Sequence, residues 1–295
     1  MKWTRGGRSA NLEDRRGAGG PYGGGRGPGL KLGIGGFLLL AVLSLIFKKD
    51  FFALVGGGGA LAPSAGVSST GGGATGSGAI HDPAEEELVE FVSFVLDDAQ
   101  ATWAKLLPAA GTQYSDARLV LFRDGVDSAC GAAGSSTGPF YCPGDQKVYI
   151  DLGFYSELKE RFGAPGDFAQ AYVITHEIGH HVQHLLGIDR AVRERQAADP
   201  RNENAYSVAL ELQADCFAGV WGHETAQRGV LERGDVEEGL NAAAAIGDDR
   251  MQRAAGRRVS PDAFTHGSSE QRVAWFRKGL ESGDLAACDT FRARR

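Results

Sequence analysis

The sequence predicts an α+β domain, mainly helical with a small sheet, preceded by a single N-terminal transmembrane helix. Three observations predict it. Beyond residue 80, apolar residues recur at helical spacing in six stretches. Only two short runs there, Arg118–Phe122 and Lys147–Leu152, have the β-branched and aromatic character of strands. Near the start, Leu32–Phe47 is an uncharged apolar run.

The 295 residues leave room for one large or two small domains, and 42% apolar with 23% charged residues is ordinary globular content. The 44 glycines are more than such a chain usually carries, and most of the excess lies before residue 80. Charge is divided unevenly, with +6 over residues 1–79 and −12 over residues 80–295. So acidic a domain is a poor match for nucleic acid.

Taken in order, residues 1–31, rich in Gly and Arg, read as a disordered, basic cytoplasmic arm. Residues 32–55 form the anchor. Its apolar run is 16 residues, short of the roughly 20 that span a bilayer. Lys31 at one end and Lys48 and Lys49 at the other can snorkel and extend it. A cleaved signal peptide, cut near Ala60–Ala62, is the rival reading; Pro63 and the long charged arm argue against it. The basic arm keeps the N-terminus in the cytoplasm and places the following domain outside the cytoplasmic membrane in a single-pass topology. Residues 56–79, nearly uncharged and rich in Gly and Ser, read as a flexible linker.

Residues 80–295 form the folded domain. Pro83 suits a first helical turn, and Glu85, Glu86 and Glu87 suit its dipole, so a helix is expected to about Leu107. In the second strand Val148 and Ile150 share one face and Tyr149 the other. Helices are then expected over 154–162, 167–186, about 204–227, about 236–254 and 269–280. Gly187 ends the second of these, and the last buries Val273, Trp275, Phe276 and Leu280.

The helix over 167–186 carries His176, Glu177 and His180 as H-E-x-x-H. Residues four apart lie on one helical face, so both imidazoles can reach one Zn²⁺. Glu177 is placed to take a proton from water activated by the metal. Set against this is an amphipathic core helix that happens to carry His, a setting in which a buried, partnerless carboxylate is costly. His181 lies about 100° around the helix from His180 and so off the site. Gln183 and Leu186 exclude a third histidine in the ten-residue pattern. The third ligand is expected to be Glu211, with Asp215 or His184 as rivals. Asp215, four residues on, would accept the free N–H of a ligating histidine.

H-E-x-x-H followed by E-x-x-x-D resembles the gluzincin class of zincin-like metallopeptidases. The whole chain resembles the bacterial family of predicted neutral zinc metallopeptidases of the YpfJ type. Asn11–Arg16, Gly138–Pro143, Lys147–Asp151, the His176 helix, Glu211–Cys216, Ala245–Arg250 and Thr265–Arg272 carry that likeness. It implies a membrane-anchored zinc metallopeptidase with one Zn²⁺ per chain, acting on a protein or peptide; an endopeptidase is the leading reading, and an exopeptidase stays open. By analogy with related zinc peptidases, His266 is the candidate donor to the oxyanion. Tyr206 is a second candidate, and Arg272 is expected to hold its segment through Asp248 or Asp249. The alternative is a catalytically silent scaffold or peptide-binding module that keeps the fold. Cys130, Cys142, Cys216 and Cys288 are expected as disulfides in an exported domain. Nearest-neighbour pairing, Cys130–Cys142 and Cys216–Cys288, is one of three possible connectivities.

Overall fold

The computed structural model describes residues 1–17 and 83–292. Its four-stranded sheet has the order β1-β2-β6-β5, with β1 (Leu12–Asp14), β2 (Arg118–Phe122), β6 (Lys147–Asp151) and β5 (Phe140–Cys142). β1, β2 and β6 are parallel, and β5 runs antiparallel to β6 at the edge. β3 (Gly125–Ser128) and β4 (Gly131–Gly134) form a separate hairpin. The short, Gly-rich β4 and the three-residue β1 and β5 lack the alternation that marks a strand in sequence. Only β2 and β6 are expected from it.

The two sheet faces are used differently. Leu119, Leu121, Val148 and Ile150 point into the main core, against the helices. Val120, Phe122 and Tyr149 point the other way, into a small cluster with Val126 and Cys142. This is the period of two expected for Val148, Tyr149 and Ile150.

Eight α-helices are described: α1 (Pro83–Leu106), α2 (Gly153–Glu160), α3 (Asp167–Leu185), α4 (Ile188–Ala198), α5 (Glu203–Gln227), α6 (Asp235–Ala245), α7 (Asp248–Ala254) and α8 (Ser269–Ser282). The helix expected over 236–254 is two helices. Gly247 is extended at the break, and a Cβ there would run into Ser269. α4, which the sequence reading passes over, begins directly after Gly187, whose φ of 71° ends α3. In α8 only Phe276 of the four expected residues is fully buried; Arg272 is buried instead, and Lys278 caps the Trp275 ring at 4.2 Å. α5 and α8 cross at Gly219 and Gly279, where a methyl on either would meet the other's backbone carbonyl.

Two corrections concern the N-terminus. Residues 1–17 are not a disordered arm. Leu12, Glu13 and Asp14 pair with Leu119, Val120 and Leu121, so the segment supplies the sheet's outer parallel strand. Its charge is matched rather than free: Arg8 and Arg16 meet Glu86, and Arg5 meets Glu87. The expected anchor and linker, and residues 18–31 of the arm, lie outside the described residues. No helix among the described residues is long and apolar enough to cross a membrane.

Both expected disulfides are present, Cys130–Cys142 and Cys216–Cys288. The first closes the segment that leads through the β4 turn into β5. The second ties α5 to the turn at Leu285–Cys288.

Candidate metal centre

α3 is buried along most of its length because Phe168, Tyr172, Ile174, Ile178 and Val182 face the core. Its site-facing side carries His176, Glu177 and His180. α5 packs across it so closely that a Cβ on Gly179 would sit 3.0 Å from the Ala214 carbonyl. That approach brings Glu211 to the two imidazoles. His176 Nε2 lies 3.2 Å from Glu211 Oε2, and His180 Nε2 lies 3.4 Å from Glu211 Oε1. One donor atom from each of the three falls within 4.8 Å of the others.

The remaining ring nitrogens fix the tautomers. His176 Nδ1 is 2.8 Å from Asp215 Oδ1, so it carries the proton and leaves Nε2 a lone pair. His180 Nδ1 is 2.8 Å from Gln183 Oε1. The Gln183 amide donates to the Leu210 carbonyl at 2.7 Å, so its oxygen accepts and His180 Nδ1 donates. Each ring therefore turns Nε2, the nitrogen left for a metal, toward Glu211.

Asp215 is fully buried, and four donor atoms from three residues share its carboxylate. Tyr172 donates at 2.5 Å, Arg272 donates through Nε and Nη2 at 2.8 Å each, and His176 completes the set. Arg272 therefore holds Asp215, not Asp248 or Asp249 as expected. It lies in the first turn of α8, on the face turned to α5.

The charges favour a cation between the imidazoles. Burial works against a protonated His176, but the Asp215 charge and hydrogen bonds to Asp215 and Glu211 outweigh it and raise its pKa to about 10. Burial likewise opposes protonation of His180, and the Glu211 charge again reverses the effect. Burial would raise Glu211, yet the His180 charge and both imidazole hydrogen bonds hold it well below the usual carboxylate range. Once a cation replaces the protons on Nε2, two imidazoles and one carboxylate, already oriented by their neighbours, are a donor set that fits Zn²⁺.

The centre opens on a cleft of about 810 Å³. Glu177, 7% exposed, lines it beside the two histidines. His266 lines it as well, from the loop before α8. Asp248 shapes that loop: one oxygen accepts the backbone N–H groups of Thr265, His266 and Gly267, and the other lies 3.1 Å from His266 Nδ1. The hydrogen bond that His266 donates to Asp248 raises the His266 pKa above its ordinary value. The edge strand β5 supplies Phe140 and Tyr141 to the facing wall.

The other candidates lie elsewhere. His181 is buried, with Nε2 2.7 Å from the Ser115 carbonyl and Nδ1 3.0 Å from the Tyr141 hydroxyl. His184 pairs with Asp189 at 3.0 Å. Tyr206 packs against the Val192, Ala209 and Phe291 cluster, away from the cleft. In the sequence Tyr172 reads as a core residue and Gln183 serves only to exclude a third histidine, so neither is expected at the site. One lies four residues before His176 and the other three after His180, spacings that place both on the site's face of α3.

Comparison with known proteins agrees with the geometry. The chain matches a family model described as putative neutral zinc metallopeptidase over residues 1–291. It is 48% identical to the uncharacterized protein YpfJ of Escherichia coli K12 over 295 residues, which is 99% of each chain. It is 42% identical to the uncharacterized protein Rv2575 of Mycobacterium tuberculosis H37Rv over 209 residues, 67% of this chain and 68% of the relative. No solved structure matches. The chain belongs to the putative neutral zinc metallopeptidase family.

Proposed function

We propose that this protein is a zinc-dependent peptidase, with His176, His180 and Glu211 as metal ligands, Glu177 as general base and His266 as a donor to the developing oxyanion. One observation carries the reading. The three ligand atoms converge at the floor of a cleft, and a carboxylate outside that set, Glu177, stands beside them in the same cleft. Bound there, Zn²⁺ supplies a Lewis acid that polarises a carbonyl and acidifies water.

The chain's own residues do the rest. Glu177 removes a proton from the attacking water and returns it to the leaving amine, so one carboxylate serves in turn as base and acid. His266, held by Asp248 with Nδ1 protonated, turns Nε2–H toward the carbonyl oxygen as it gains charge. Asp215, steadied by Arg272 and Tyr172, keeps His176 in one tautomer and one orientation. Among the described residues β5 pairs only with β6, and an extended peptide backbone can add to its other edge, on the cleft, as a further strand. An acceptor of this kind suits cleavage within a chain.

The test uses the full chain, since residues 1–17 are part of the fold. Zinc content and cleavage of an unfolded protein are measured for the wild type and Glu177→Gln. Loss of cleavage with one zinc retained supports the reading. If both proteins hold zinc and neither cuts, the peptidase reading fails and a silent scaffold takes its place.

A further inference from the structure

We infer that the N-terminal segment and the metal-binding domain occupy one compartment and meet any membrane from the same side. The inference stands whether or not the protein cuts peptides. It rests on how deeply residues 1–17 are built into the domain.

The contacts begin with backbone. The Leu119 N–H donates to the Asn11 carbonyl at 2.9 Å, and the Arg15 N–H donates to the Leu121 carbonyl at 2.8 Å. Glu13 then accepts from Lys147, on β6, at 2.8 Å and from Arg118, on β2, at 3.3 Å. Trp3 packs its ring edge-on against Phe91 of α1, with centroids 5.3 Å apart. Ser9 donates to Asp97 at 2.5 Å. Removing the segment would expose the β2 edge and leave Glu86 and Glu87 without their arginines.

A bilayer's hydrocarbon core is about 30 Å thick, whereas paired strands lie about 4.8 Å apart. One crossing between Asp14 and Pro83 would put β1 and β2 on opposite sides of that core, which their pairing forbids. The apolar run Leu32–Phe47 falls within this interval. The two described ends of the interval, Asp14 and Pro83, therefore lie on one side.

The positions of the two ends agree. Arg16, 9% exposed, donates to Glu85 at 3.1 Å and to Glu86 at 2.9 Å. Gly17 follows the first member of this cluster, and Pro83 stands two residues before Glu85. The chain leaves the fold and re-enters it at one corner. The arginines that would hold a basic arm on the cytoplasmic face are also engaged. Arg5, Arg8, Arg15 and Arg16 each lie in an ion pair with Glu or Asp.

The test reads sidedness with single cysteines in the full chain. All four native cysteines are in disulfides, so the background toward maleimide is silent. Gly6→Cys reports the segment, since a Cβ there meets nothing within 4 Å; Ala197→Cys reports an exposed position near the end of α4. Intact spheroplasts and inverted membrane vesicles are treated with a membrane-impermeant maleimide. The expected result is that both positions label from the same face, or that both are shielded in intact cells and both react after lysis. Labelling of the two positions from opposite faces would overturn the inference.

Discussion

Arg272 and Asp215 form a buried, two-point ion pair between α8 and α5, with both contacts at 2.8 Å and side chains 2% and 0% exposed. The pair stands directly behind His176. Asp215→Asn keeps the shape but removes the charge that draws a proton to His176 Nδ1, and it leaves the Arg272 guanidinium buried against a neutral amide. Breaking one side of a buried pair costs about 3–5 kcal/mol, and losing the partner of a ligating histidine costs roughly 10–100-fold in metal affinity. Both losses are expected together, in denaturant unfolding of the zinc-free protein and in competition with a chelator. Unchanged zinc affinity would show that Asp215 holds the fold but does not tune the ligand.

His266 and Asp248 act at the other side of the cleft. His266→Asn is expected to lower kcat by about 10²–10³, with zinc content unchanged, as removal of one oxyanion donor does. Asp248 raises the His266 pKa, so the imidazolium, present at low pH, persists further up the scale before its proton is lost. Asp248→Asn therefore moves the alkaline limb of activity toward lower pH. A pH profile whose alkaline limb is the same in this variant as in the wild type would remove His266 from that limb.

How much of this was legible in sequence follows from range. H-E-x-x-H and E-x-x-x-D are local helical spacings, so His176, His180, Glu211 and Asp215 could be grouped before any fold was known. The partner of Arg272 could not be found that way. Asp215 is 57 residues distant, and the choice depends on which face of α8 turns inward. Sequence placed Arg272 near Asp248, which is closer along the chain. β1 was hidden for a different reason. Three residues in a basic, Gly-rich stretch carry no alternation, and their pairing with β2 spans more than a hundred residues. Composition read the arginines as free charge because the glutamates that match them lie beyond the linker.

The two disulfides are expected to differ in accessibility. Cys130 is exposed, whereas Cys216 and Cys288 are fully buried. A mild thiol at neutral pH should reduce Cys130–Cys142 first, and mass-tagged alkylation should mark only those two residues while the protein stays folded. Loop lengths set the cost of removal. Closing 72 residues is worth about 4 kcal/mol and closing 12 about 3 kcal/mol in the chain-entropy account. Replacing Cys216 and Cys288 by Ser should therefore lower the unfolding free energy more than replacing the other pair. The reverse order would point to strain or to structure in the unfolded chain.

Acid is expected to loosen the N-terminal strand. Burial would raise the Glu13 carboxyl, but hydrogen bonds from Lys147, Arg15 and Arg118 lower its pKa from 4.5 to about 2. Hydrogen bonds from Arg16 lower Asp14 from 3.8 to about 2. For a depressed carboxyl, the stabilisation is fully present above the unfolded pKa. It is lost as pH falls from about 4.5 toward about 2. Both side chains keep some contact with water, so screening reduces each contribution to about 1 kcal/mol. Glu13→Gln should be less stable than the wild type at pH 7 and should lose less stability on the way down to pH 2. Chemical unfolding of both proteins across that range measures the difference. Parallel curves would mean that β1 is held by its backbone ladder and by Trp3 rather than by its charges.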